Sequence, residues 1–185
     1  MDVGDNIFNS RTTTLVNTVN CVGIMGKGIA LEFKKYFPVM YDDYRVRCNN
    51  KEIEPGHPYL WKNNAGGQSV LNFPTKLHWR GKSQIEWIEL GLNIFCENYK
   101  NWGVESIAFP ALGCSNGGLD WESVEPIMVR HLEKIHGIPI EIYPPSTKQS
   151  VIKKNSTIKD PRQKKGPRRE TSLGEFTTAD KIKRD

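Results

Sequence analysis

Residues 15–31 read LVNTVNCVGIMGKGIAL, and the order of residue types in this stretch decides the fold. An apolar run with the β-branched residues Val16, Thr18 and Val19 ends at Asn20. Glycines punctuate the next stretch at positions 23, 26 and 28, and a helical pattern begins near Lys27. The reading is strand, loop, helix. Glycines beside the first turn of a helix leave backbone N–H groups bare at the positive end of the helix dipole, which makes an anion site, above all for phosphate. The plainer alternative is an ordinary turn that uses glycine only for its positive φ.

Two better-known phosphate loops are excluded by the same residues. A P-loop requires glycine five positions before Gly-Lys and a Ser or Thr after it, but Cys21 and Gly28 stand there. The dinucleotide fingerprint G-x-G-x-x-G fails as well, because counting from Gly26 its third glycine falls on Leu31.

Outward from this loop, a helix is expected from about Lys27 to Phe37 with Ala30, Phe33 and Phe37 on one face, ended by Pro38 and followed by a short helix to Cys48. Residues 1–10 supply at most a stub of edge strand. Tyr59-Leu60-Trp61 and Ser69-Val70-Leu71-Asn72-Phe73 flank the turn Asn64-Ala65-Gly66-Gly67 and read as a hairpin. Residues 74–80, PTKLHWR, are too polar and too aromatic for a routine connection. Ser83 with Glu86 reads as a capping box for a helix carrying Ile85, Ile88, Leu92, Phe95 and Tyr99. Residues 104–109 form a buried strand and run into a second glycine-rich loop, Gly113-Cys114-Ser115-Asn116-Gly117-Gly118. A helix with Val124, Ile127, Met128, Leu132 and Ile135 on one face follows, then a last strand over residues 138–143. This alternation predicts an α/β three-layer sandwich around a mixed sheet. In such sheets ligands bind at the carboxyl ends of the strands, so two glycine-rich strand-to-helix loops can meet there around a ligand with two negative centres, as in a diphosphate.

Composition narrows the class. The 185 residues carry 37% hydrophobic residues, enough for one packed domain, and contain no apolar run of membrane-spanning length. No basic-then-apolar leader opens the sequence, so a cytoplasmic, monomeric protein is expected. Cys21, Cys48, Cys96 and Cys114 form no C-x-x-C pair and have no histidine at zinc spacing, which argues against a disulfide framework, a metal site or any cofactor. Net charge is +5, yet residues 148–185 hold 12 Lys/Arg against 5 Asp/Glu, leaving 14 against 16 in residues 1–147. The chain therefore divides into a domain over 1–145 and a basic tail over 146–185, whose thin apolar content is that of a disordered segment.

Several stretches together resemble one family. Gly4-Asp5, Val16-Asn17-Thr18-Val19-Asn20, residues 23–31, Asn72-Phe73-Pro74-Thr75-Lys76 with His78-Trp79, and residues 113–121 are similar to the macrodomain, an ADP-ribose-binding fold. Within that fold they resemble the branch containing the DarG antitoxin and the terminal ADP-ribose protein glycohydrolase. The resemblance implies ADP-ribose as ligand, with Asp5 near the adenine amino group and Asn20 near the distal ribose. It implies a first diphosphate loop from Val22, Gly23, Met25, Gly26, Lys27 and Gly28. The second would be built from Gly113, Cys114, Ser115, Asn116, Gly117 and Gly118, with Leu119 beyond it and Pro74 and Thr75 completing the contacts. It further implies an ADP-ribosyl glycohydrolase that clears ADP-ribose from thymidine bases of single-stranded DNA modified by a DarT-like toxin. Catalysis would rest on Lys76 with Asn20 and Asp120. The alternatives are a non-catalytic ADP-ribose reader and a hydrolase of protein-linked ADP-ribose.

The individual residues keep their plainer readings. Cleavage at an anomeric carbon passes through an oxocarbenium-like state usually flanked by two carboxylates, whereas only Asp120 occupies a motif position here. Lys76 acts either as a nucleophile, which requires a lowered pKa, or as a charged donor to the leaving base. Asp120 is equally an N-cap. Lys27 faces either solvent or a phosphate, His78 and Trp79 either pack or stack on a base, and Cys21 and Cys114 are small fillers. Ser115 departs from the branch, which carries glycine there, and the large second domain of full-length DarG has no counterpart in this sequence.

Overall fold

The computed structural model describes residues 6–145. The elements run β1 (Thr14–Asn20), α1 (Gly28–Tyr36), α2 (Pro38–Asn49), β2 (Tyr59–Trp61), β3 (Ser69–Lys76), α3 (Ile85–Trp102), β4 (Ile107–Pro110), α4 (Trp121–Leu132) and β5 (Ile140–Tyr143). The sheet order is β2-β3-β1-β4-β5. Only the β2–β3 hairpin is antiparallel, so the sheet is mixed.

The central strands are buried on both faces, as the interior of a three-layer sandwich requires. On one face Val16, Leu71, Phe73, Ile107 and Phe109 pack with Ile88, Leu92 and Phe95 of α3 and Val124 and Met128 of α4. On the other, Leu15, Val19, Val70 and Ala108 pack with Phe33 of α1 and Met40 and Tyr44 of α2. The layers are therefore α1/α2, sheet, α3/α4. Gly91 of α3 lies so close to the sheet that a Cβ there would collide with the Phe73 ring.

β1 and β3 are also tied by a buried polar pair. Asn17 lies opposite Asn72 and donates from Nδ2 to Asn72 Oδ1 at 3.0 Å, while Asn72 Nδ2 donates to the Tyr59 hydroxyl at 3.1 Å. A one-residue slip would break both bonds and leave buried amides unpaired, so the pair locks the register of the two strands that carry the site.

Three local expectations are corrected. Residues 7–9 form a 3-10 turn rather than an edge strand, with the Asn6 side chain accepting from Phe8 N at 3.0 Å. Ser83 does not cap α3, because Gln84 holds the N-cap position and no side chain bonds to the first turn. Its hydroxyl is buried with no partner among the described residues, and its N–H instead donates to Gly117 O at 2.9 Å. Finally, β3 does not stop at Phe73 but continues through Pro74 to Lys76. Pro74 is tolerated because the pairing with β1 becomes irregular there: Val19 lies opposite Pro74 and Asn20 opposite Lys76, with Thr75 skipped.

Candidate active site at the carboxyl ends of the strands

The four parallel strands all point their carboxyl ends at one cleft. Asn20 of β1, Lys76 of β3, Pro110 of β4 and Tyr143 of β5 line it, and its volume is about 880 Å³. Both glycine-rich loops open into it, contributing Gly26, Lys27 and Gly28 from the first and Gly113, Cys114, Ser115, Asn116 and Gly117 from the second.

The first loop is shaped by one side chain. Asn20 is 7% exposed, and its Oδ1 accepts from Val22 N at 3.0 Å and Ile24 N at 3.4 Å, while its Nδ2 donates to Ile24 O at 2.6 Å. The Tyr44 hydroxyl donates to Asn20 O at 2.7 Å and approaches Oδ1 at 3.1 Å. The loop is thus folded around the Asn20 amide and held from α2. Beyond it, the N–H groups of Gly26, Lys27 and Gly28 have no hydrogen-bond partner among the described residues. Such bare donors at the start of α1 form an anion cradle.

The second loop is pinned on itself and on its neighbours. Leu119 N donates to Gly113 O and Gly117 N to Cys114 O, at 3.1 and 3.0 Å. Gly113 has φ +69°, and a Cβ there would come within 2.7 Å of Leu119 Cδ1. The loops also touch: a Cβ on Gly28 would lie 2.6 Å from Asn116 Nδ2. Ser115 adopts φ +54°, the left-handed region where glycine is favoured.

Lys76 sits where the two loops converge. The skipped residue in β3 puts it opposite Asn20, and its Nζ donates to Asn116 O of the second loop. Burial lowers its pKa below the ordinary lysine value. Cys21 ties the first loop to the same strand end, its N donating to Leu77 O at 3.2 Å and its Sγ to Lys76 O at 3.3 Å. Burial pushes the Cys21 thiol up to about 12 and the Cys114 thiol up to about 11, so both are protonated at neutral pH and neither is a thiolate nucleophile.

Other expected site residues lie around the cleft rather than on its wall. Met25 is buried against Asn17, and Pro74 is buried within β3. Gly23 packs near Cys48 and Arg45, Val22 is exposed on the outside of the first loop, and Gly118 closes the 3-10 turn of the second. Leu119 packs under Gly113. Asp120 is exposed at the N-cap of α4, where its carbonyl accepts from Ser123 and Val124 and its carboxylate makes no capping bond. Asp5 and the 146–185 tail fall outside the described residues.

Several cleft residues gave no sign in the sequence. Phe8 and Tyr143 line it, and Tyr44 supports it from behind. Tyr44 carries only the helical spacing Met40, Tyr44, Cys48, which marks a core face. Tyr143 is marked only by ending a predicted strand.

A sandwich with two glycine-rich loops over the ends of its parallel strands is the architecture of a macrodomain, and the Macro domain family model matches residues 16–128. The chain belongs to that family. Within it the similarity concentrates on DarG. The solved macrodomain of Mycobacterium tuberculosis DarG is 40% identical, with a TM-score of 0.73 over 76% of this chain and 94% of that one. Thermosipho africanus DarTG in complex with ADP-ribose is 44% identical, with a TM-score of 0.74 over 78% of this chain and 41% of that one. A protein of the same species named as a DNA ADP-ribosyl transferase–DNA ADP-ribosyl glycohydrolase fusion is 43% identical over 164 residues, 80% of this chain and 42% of its own length. The chain spans about two fifths of the length of the curated relatives it matches.

Proposed function

We propose that this chain is an ADP-ribosyl glycohydrolase that removes ADP-ribose from thymidine bases of single-stranded DNA, in the cytoplasm, as antitoxin to a DarT-like transferase. The observation that carries the reading is the placement of Lys76: one amine of lowered pKa lies opposite Asn20 and bonds to the second glycine-rich loop. A diphosphate held by the bare N–H groups of the first loop, with the second glycine-rich loop facing it, would leave the distal ribose between Asn20 and Lys76. Cleavage passes the electrons of the bond between the anomeric carbon and the base to the leaving base: either the neutral Lys76 amine attacks the anomeric carbon and water then hydrolyses the ribosyl–lysine adduct, or water attacks directly while Lys76 as ammonium donates a proton to the base. Asp120, exposed at the N-cap of α4 with its carboxylate making no capping bond, is the second catalytic candidate beside Lys76. The fusion of a transferase with a glycohydrolase in the Thermosipho africanus relative supports the pairing with a toxin.

The test is release of ADP-ribose by the purified chain from thymidine-modified single-stranded DNA, compared with ADP-ribosylated protein. Release from the DNA alone is expected. Binding of ADP-ribose without release from either substrate would make the chain a reader, and release from protein alone would make it a protein-directed hydrolase.

A further inference from the structure

Two of the large hydrophobic side chains exposed among the described residues line the cleft, Ile24 at 44% and Trp79 at 45%. The two segments that carry them, with exposed Val22 and Leu77 beside them, are joined by the bond from Cys21 N to Leu77 O. Trp79 and Arg80 also line the cleft, three and four residues beyond Lys76. The His78 ring lies against the indole at 5.5 Å between centroids with planes 29° apart, and the Arg80 guanidinium sits 4.5 Å from the indole centroid. Arg80 N closes a short turn on His78 Nδ1 at 3.3 Å, and Gly81 N bonds to His78 O at 2.9 Å. The three side chains are therefore held as one stack by their own backbone, and burial of Trp79 in the core plays no part in placing it.

Charge says what such a stack meets. Lys76, Arg80 and Lys82 follow one another from the end of β3, and the sequence holds no Asp or Glu between Glu54 and Glu86. None of the five ion pairs among the described residues involves Arg80, Lys82 or Lys27. The domain as a whole is slightly acidic, so this lip is a local cationic exception. Aromatic rings interleaved with cations suit single-stranded nucleic acid, whose unstacked bases offer a π face and whose phosphates offer charge. A duplex keeps its bases stacked inside and cannot use the indole.

We infer that the His78–Trp79–Arg80 stack is a nucleobase platform, on which a base of single-stranded DNA adjoining the modified nucleotide docks while Arg80 and Lys82 take its phosphates. This rests on the reading of the substrate as DNA-linked ADP-ribose, and it assigns strand recognition to residues outside the two glycine-rich loops. Trp79 thereby sets substrate choice without entering the chemistry.

The test measures affinity rather than turnover, using the full chain carrying Lys76→Ala to prevent cleavage. Calorimetry compares three probes: free ADP-ribose, a thymidine–ADP-ribose conjugate, and the same conjugate inside a short single-stranded oligonucleotide. With Trp79 present, the oligonucleotide is expected to bind about tenfold tighter than the mononucleoside conjugate, in keeping with one stacked base. Trp79→Ala should erase that increment while leaving free ADP-ribose within about twofold, and Trp79→Phe should keep most of it. Equal affinity for oligonucleotide and mononucleoside in the Trp79 protein overturns the platform, as does an equal loss for all three probes in Trp79→Ala, which would make the indole a wall of the ADP-ribose cleft. An equal Trp79-dependent gain for an ADP-ribosylated peptide also overturns it and assigns the lip to a protein partner. If the increment is present but the unmutated chain releases nothing from the oligonucleotide, the platform stands and the glycohydrolase reading falls.

Discussion

At the scale of single residues, the proposed chemistry and the proposed binding fall on different groups. Lys76→Ala is expected to abolish release of ADP-ribose while keeping affinity for free ADP-ribose within about tenfold, roughly 1.4 kcal/mol, because the diphosphate donors are backbone groups elsewhere. Single-turnover release and calorimetry on the same variant check both halves. Lys76→Arg keeps the charge but not a usable nucleophile, and it should be as inactive as the alanine variant. Because burial lowers the Lys76 pKa, the neutral amine becomes available at lower pH than for a free lysine. The value of kcat/KM should therefore rise with pH up to that lowered pKa and level above it. A fall over the same range would assign Lys76 the ammonium role instead. Tyr44 makes a different case. Tyr44→Phe removes the hydroxyl that holds Asn20 and should cost about 1 kcal/mol of stability in chemical denaturation, with a several-fold loss of ADP-ribose affinity as the first loop slackens.

At the scale of elements, the loops were readable and the ends of the strands were not. Glycines 23, 26 and 28 after a β-branched run announce a strand-to-helix loop, because their spacing is local and their backbone role follows from the absence of Cβ. The extension of β3 through Pro74 carried no such signal. Proline argues against a strand interior, and only the irregular pairing with β1, a contact between residues more than fifty positions apart, makes room for it. The Ser83–Glu86 capping box failed for a similar reason: Ser83 N is already committed to Gly117 O, so the chain enters α3 one residue later. The Asn of Asn-Phe-Pro-Thr-Lys belongs to the same lesson, since Asn72 is spent on the register of β1 and β3. Two substitutions probe the second loop. Gly117→Glu should abolish ADP-ribose binding by calorimetry, since even a Cβ there would lie 2.6 Å from Ser83 Oγ and the carboxylate would repel a diphosphate. Ser115→Gly relieves a left-handed backbone and should raise stability by up to about 1 kcal/mol in thermal unfolding.

At the scale of the whole molecule, charge divides the labour. The 146–185 segment holds the net positive charge while the domain is near neutral. Its removal should weaken DNA binding at low salt and flatten the salt dependence, leaving ADP-ribose affinity unchanged, which filter binding over a salt series would measure. The fold class followed from periodicity along the chain, because each helix face and each strand reports its own burial, whereas the assignment of α1 and α2 to one face and α3 and α4 to the other came only from the packing. The cleft wall from Phe8 and Tyr143 was not legible along the chain either, because it is assembled from segments at opposite ends of the domain and neither carries a motif. One link reaches beyond the sheet itself. Cys21 extends the pairing between β1 and β3 past their last ladder rungs, with its N on Leu77 O and its Sγ on Lys76 O. The first loop and the strand end that bears the lysine are consequently fastened together. Binding of ADP-ribose to the first loop is therefore expected to slow amide exchange at Cys21, a signal from outside the cleft that the end of β3 is ordered along with the loop.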